Sequence, residues 1–200
     1  MEDDEWRTVW EVLRDALPGV GYRAGPSSLV RHESGHFKFL VDEVTPDLAQ
    51  LLASFPLPVV VVADASTSIP RGISPAEQRR RSIERVEWLT PRLRASADPH
   101  WLLLRRLLTA ESVDVDSAWL ADGFDDDVGI YFGVVVTCSG DVFEFEYAWN
   151  VDQERDQATI VRWENKTHTW VHGLRVHVHP IAAALELADV HVPALADLHL

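Results

Sequence analysis

Cysteine is almost missing from this chain: one residue in 200, Cys138, so no internal disulfide can form and no cysteine-based zinc site is available. Any metal would have to be held by His, Asp or Glu. Long apolar runs are missing too. The strongest, Leu57 to Ala63, is far too short to span a bilayer, which predicts that no membrane is engaged. Positive charge is scarce, with 18 Lys and Arg against 32 Asp and Glu and a formal charge of -14. A field of that sign repels nucleic acid phosphates and draws in cations, so plain nucleic acid binding is excluded as an expectation and a basic protein partner is favoured. Lysine occurs only at Lys38 and Lys166, a bias toward arginine that reads as coding preference. The opening Met1-Glu2-Asp3-Asp4-Glu5 is acidic where a secretory leader is basic and then apolar, so the expected location is cytoplasmic. There is no internal repeat.

With 46% hydrophobic residues the chain can bury one substantial core. The expected class is α+β: an N-terminal helix-hairpin-helix-strand portion, two central helices, and an antiparallel β-meander over about 129-166, packed as one domain across 1-200. Sub-lobes 1-63 and 74-200 would meet at a Ser, Thr, Pro and Gly-rich loop over 64-73. Trp6, Val9, Trp10, Leu13 and Leu17 recur at helical spacing before Pro18-Gly19. Thr45-Pro46 and Ser74-Pro75 carry a capping hydroxyl followed by proline in the first turn, and Asp98-Pro99 repeats the pattern with a carboxylate. A helix is expected from Ser74 through Leu89, with Pro91 breaking or kinking it. A buried strand is expected at Val59 to Val62, and an Ala-Leu helix over Pro180 to Ala188.

In the meander, a two-residue turn at Ser139-Gly140 would oppose Val136 to Phe143, Val134 to Phe145 and Phe132 to Tyr147, every pair apolar. Val135 would then oppose Glu144 on a wetter face. A third strand over Ala158 to Lys166 would put Trp163 on the covered side and turn Arg162 away from it. The aromatic stripe Phe143, Phe145, Tyr147 and Trp149 should pack on helices rather than serve as a stacking platform for bases, given the acidic field.

Three constellations carry chemical meaning. The first is His32-Glu33-Ser34-Gly35-His36, an H-E-x-x-H string. On a helix its two imidazoles stand one turn apart and can hold zinc while Glu33 deprotonates a bound water. Those five residues resemble the zincin metalloproteases. The resemblance implies His32 and His36 as ligands and Glu33 as catalytic base of a zinc-dependent hydrolase. The longer metzincin pattern is not met, because Phe39 stands where a Gly and Asp42 where a third His is required. Periodicity favours a second reading, in which Ser34-Gly35 is a hairpin turn: Phe37, Phe39 and Val41 alternate with Lys38, Leu40 and Asp42, and Leu29 and Arg31 mirror them. Such a turn is expected to pull the imidazoles out of ligating geometry.

The second constellation is His168, His172, His177 and His179; His177 and His179 would project to one side of a strand, a spacing suited to metal. The third is charge segregation. Nine Arg oppose four acids from Arg71 to Arg106, a net of +5, whereas fourteen acids oppose two Arg from Glu111 to Glu164, a net of -12. Asp122, Asp125, Asp126 and Asp127 cluster in what reads as a loop before the hairpin, without the spacing of an EF-hand. The Arg-rich helices are expected to pair with the sheet's carboxylates inside one molecule, with self-association as the other outcome. Together these features favour an acidic binding protein of immunity, antitoxin or accessory type that covers a basic partner. No cofactor is expected, with zinc the one alternative.

Overall fold

A computed structural model describes residues 2-32, 34-55, 59-63, 70-125, 131-150, 155-162 and 180-189. The fold is α+β, as composition and periodicity predict. Its contacts divide the chain into one unit up to Gln78 and a second from Arg79 onward.

In the first unit, α1 (Glu2–Ala16) buries Val9, Leu13 and the following Leu17 on one face and is tied down by Trp6, whose indole N–H donates to the Leu29 carbonyl at 3.0 Å. Strands β1 (Leu29–Arg31) and β2 (Phe37–Val41) pair antiparallel, with Leu29 opposite Phe39 and Arg31 opposite Phe37. Helix α2 (Pro46–Ala53) then crosses to β3 (Val59–Ala63), which runs parallel to β2 in the order β1-β2-β3. The Thr45 hydroxyl accepts from the Leu48 N–H at 3.3 Å, a cap contributing about 1 kcal/mol. Phe37, Phe39 and Val41 face α1 and α2 in a shared core with Leu13 and Leu48, while Lys38 is half-exposed. β3 departs from the expectation of a buried strand. It pairs with β2 on one side only among the described residues, and Val60 and Ala63 are exposed. An unbroken valine run does not distinguish an edge strand from a central one.

Helix α3 (Pro75–Ala95) starts where expected, the Ser74 hydroxyl facing the Glu77 N–H while the Asp42 carboxylate accepts from the Ser74 N–H and hydroxyl. It does not stop before Pro91. Leu89 and Leu93, one on either side of the proline, are both buried in the same core, and that packing outweighs the lost backbone bond. The Arg92 guanidinium also donates to the Trp88 carbonyl at 2.8 Å while stacking over the Trp88 ring. Helix α4 (Pro99–Ala110) is capped by Asp98, whose carboxylate accepts from the His100 N–H at 2.9 Å. That bond holds the Asp98 pKa below its ordinary 3.8.

The second unit's sheet has four antiparallel strands in sequence order: β4 (Ala118–Asp125), β5 (Tyr131–Thr137), β6 (Val142–Asn150) and β7 (Arg155–Arg162). Two expectations are corrected. The segment holding Asp122 and Asp125 is strand β4, not a loop; pairing of Leu120 with Val135 and of Asp122 with Val134, around a bulge at Ala121, overrides the weak strand propensity of Asp and Gly. The β5-β6 register is also one residue off the predicted one, with Val135 opposite Phe143, Val136 opposite Val142 and Gly133 opposite Phe145. The reason is turn length. Thr137 and Asp141 close a three-residue loop, Cys138-Ser139-Gly140, in which Gly140 takes φ +81. The slip is tolerated because Val134, Val135 and Val136 are all 0% exposed, so β5 itself has no wet face and β6 keeps Phe143, Phe145 and Tyr147 inward in either alignment.

Both faces of this sheet are covered at β5, while Glu146, Thr159 and Val161 of β6 and β7 stay exposed on the second face. Val135, Phe143, Phe145 and Tyr147 pack with Leu89, Leu93, Leu104 and Leu108 of α3 and α4, and Ala158 and Ile160 of β7 join them. Val134, Val136 and Val142 pack with Ile181, Ala184 and Leu185 of α5 (180–187). The aromatic stripe thus lies on helices as expected. Arg162 stands opposite Phe143 rather than on the far face, and its guanidinium reaches the Asp141 carboxylate; Trp163 and Trp149's side chain lie outside the described residues.

Candidate functional site

The H-E-x-x-H string forms the tip of the β1-β2 hairpin. His32 N–H donates to the His36 carbonyl at 2.8 Å, the Gly35 N–H donates back to the His32 carbonyl at 2.9 Å, and Gly35 takes φ +88. These bonds define a three-residue loop with glycine in the left-handed position. The helix on which the zincin resemblance depends is absent, and Glu33 lies outside the described residues.

The turn leaves the two imidazoles side by side. Their rings stack at 4.7 Å between centroids with 23° between planes, because the two residues flanking a three-residue hairpin loop are cross-strand neighbours. Ser34 projects its hydroxyl between them, with Oγ 2.7 Å from His32 Nδ1 and 2.6 Å from His36 Nδ1. His32 Nδ1 also accepts from the Ser34 backbone N–H at 3.3 Å, so that nitrogen carries a lone pair rather than a proton. The consistent arrangement is a relay in which His36 Nδ1–H donates to Ser34 Oγ and the hydroxyl donates to His32 Nδ1. The His32 pKa is lowered from 6.5, first by desolvation and then by the Lys38 ammonium and the neighbouring His36. Arg31 beside the tip pairs with Glu5 of α1 at 2.9 Å. Among the described residues no group of three or more His, Cys, Asp or Glu converges on a metal position.

The acidic end of β4 is partly engaged. Arg85 of α3 grips Asp122 at 2.7 Å and the Gly123 carbonyl at 2.6 Å, leaving the Asp122 side chain only 16% exposed. Asp122 therefore fastens β4 to α3, as the intramolecular reading of the charge pattern expects. Asp125 ends β4, its side chain outside the described residues along with Asp126 and Asp127. Arg79 pairs with Glu186, and Arg80 with Glu84 at 2.5 Å. His168, His172, His177 and His179 all lie outside the described residues.

Sequence reasoning did not single out a cleft of about 440 Å³ beside the β5-β6 turn, lined in part by Glu111, Asp114, Ser117, Cys138, Asp141 and Arg162. Cys138 is exposed at its edge, and its thiol donates to the Ser117 carbonyl at 2.9 Å. The cleft forms because the 3₁₀ turn Val115–Ser117 leads into β4 next to that tip, and only the charge count of the segment hinted at its acidic lining.

Comparison of the chain with protein-family models, with curated proteins and with solved structures finds no match. Among the described residues no helix is long and apolar enough to cross a membrane.

Proposed function

We propose that this protein is a non-catalytic acidic binding protein, of immunity, antitoxin or accessory type, that engages a basic protein partner in the cytoplasm through a carboxylate-rich surface. One observation carries the reading: acids outnumber bases by fourteen, and among the described residues several of the bases are already paired within the chain. Arg7, Arg14, Arg31, Arg79, Arg80, Arg85 and Arg162 sit in ion pairs with carboxylates of the same chain, so these seven of the eighteen cations are already engaged while a formal charge of -14 remains. An excess of that size steers a cationic partner into fast encounter and repels phosphate backbones. Asp125, Asp126 and Asp127 supply the steering, with Asp122 holding the strand that leads to them. The carboxylates of Glu111 and Asp114 at the cleft beside the β5-β6 turn support the same reading.

Lysozyme serves as a cationic probe in size-exclusion chromatography. The expected result is co-elution at low salt that weakens sharply once the Debye length falls to about 3 Å near 1 M salt. Replacing Asp125, Asp126 and Asp127 together by Asn should slow association more than it speeds dissociation. Unchanged elution at low salt would remove the reading's support.

A further inference from the structure

The hairpin tip holds a feature that acidic binding does not use. Two imidazoles project their Nδ1 atoms at one point, now filled by the Ser34 hydroxyl, at 2.7 and 2.6 Å. Two imidazole nitrogens aimed at a single position, one with its lone pair and one that has only to move its proton to the other ring nitrogen, meet the geometric requirement for chelation. Metal-nitrogen bonds of roughly 2.0–2.1 Å require each ring to close in by only about 0.6 Å. The rings are already stacked on one side of the hairpin, so little ordering remains to be done on binding.

The turn itself does not call for histidine. The β5-β6 turn has the same backbone: Thr137 N–H donates to the Asp141 carbonyl at 3.0 Å, Gly140 N–H donates to the Thr137 carbonyl at 2.9 Å, and Gly140 stands at φ +81. Its serine, Ser139, bridges the flanking residues in the same way, lying 2.7 Å from the Thr137 hydroxyl and donating to the Asp141 carboxylate at 2.8 Å. Thr and Asp thus suffice to close such a loop. The two imidazoles at the first turn are chemistry added to a backbone that forms without them.

We infer that His32 and His36 form a two-imidazole clip for a divalent transition-metal ion, bound through both Nδ1 atoms once the Ser34 hydroxyl has rotated away from the position it now fills. His32 Nδ1 already carries a free lone pair; His36 has only to shift its proton to Nε2. Nitrogen-only ligation ranks Cu²⁺ above Ni²⁺ and Zn²⁺. With two ligands among the described residues, the ion keeps positions for an added ligand atom and this is not a closed structural site.

The test titrates the full chain with Cu²⁺ and, separately, with Zn²⁺ at neutral pH by calorimetry, comparing wild type with the double variant H32A/H36A. Two-dimensional NMR confirms that β1 and β2 remain paired, and it reads Cu²⁺ broadening residue by residue, which separates this site from the four histidines between His168 and His179. The double variant should lose one equivalent of metal, and each single variant should bind that equivalent at least roughly tenfold more weakly. Broadening in the wild type should be strongest at His32 and His36. S34A should bind as tightly as wild type or more tightly, because the Ser34 hydroxyl occupies the same two nitrogens. Equal stoichiometry and affinity in wild type and the folded double variant would overturn the inference, as would loss of metal in a folded S34A variant.

Discussion

The molecule contains the same turn twice, and the two copies differ in what flanks them. His32-Glu33-Ser34-Gly35-His36 and Thr137-Cys138-Ser139-Gly140-Asp141 each place glycine at positive φ and swing a serine hydroxyl across to the residues two before and two after it. At the second tip the bridged groups are a hydroxyl and a carboxylate, and Arg162 completes a network tying β6 to β7. At the first they are imidazoles with no further carboxylate or thiol joining them among the described residues. Identical backbone geometry with different side chains shows that Ser-Gly encodes the reversal while the flanking pair encodes the chemistry. An H-E-x-x-H string therefore specifies zinc hydrolysis only when a helix spaces its ligands.

The strands behind the two turns differ as well. β2 buries Phe37, Phe39 and Val41 on one face and sets buried Leu40 beside half-exposed Lys38 on the other, whereas β5 is buried at every residue from Gly133 to Thr137. The largest expected effect separates them: Val134→Asp and Val135→Asp should each destabilise by about 3–5 kcal/mol in urea unfolding, since either buries an unpaired charge. Lys38→Asp should change stability by about 0.5 kcal/mol or less. If only one of the two valine variants proves damaging, the two-sided packing of β5 is wrong.

Next in size come the glycines. Gly35→Val and Gly140→Val should each cost about 1–2 kcal/mol, because a branched side chain is forced into the left-handed region. At Gly35 a Cβ meets nothing within 4 Å, so that loss is conformational alone. Thermal melts of the two variants would show similar decreases if the turns are equivalent. Ser34→Ala and Ser139→Ala should cost about 1 kcal/mol each through the lost bridges.

The smallest effect is one of pH, and it belongs to the first turn alone. His32's pKa is lowered on folding from 6.5, so the unfolded chain binds its proton more readily. The stabilisation is present above pH 6.5 and is lost as pH falls through the folded value. A histidine Cε1–H titration by NMR should place the His32 midpoint below 6.5, and amide protection factors at the β1-β2 tip, corrected for the intrinsic pH dependence of exchange, should fall on acidification while those at the β5-β6 tip do not.

What the sequence made legible follows one-sided patterns and local caps. The spacing of Val9, Leu13 and Leu17, the Thr45, Ser74 and Asp98 caps, and the alternation of Phe37, Phe39 and Val41 each have a single physical interpretation. The β5-β6 register did not, because three consecutive buried valines satisfy either alignment and the choice passes to the length of the turn. Strand β4 was hidden by Asp122 and Gly123, whose place in the sheet depends on Arg85 arriving from α3. Helix α3 runs past Pro91 because leucines distant in sequence pack on both sides of it. At the candidate site, periodicity identified a reversal at Ser34-Gly35, but nothing local revealed that a three-residue loop brings its flanking rings together.

Cross-strand nuclear Overhauser contacts through residues 29–41 test the central claim most directly. Contacts between Leu29 and Phe39 and between Arg31 and Phe37, with ring-to-ring contacts from His32 to His36, are the predicted result. A ladder of contacts between residues three apart running through His32 to His36, the signature of a continuous helix, would contradict it.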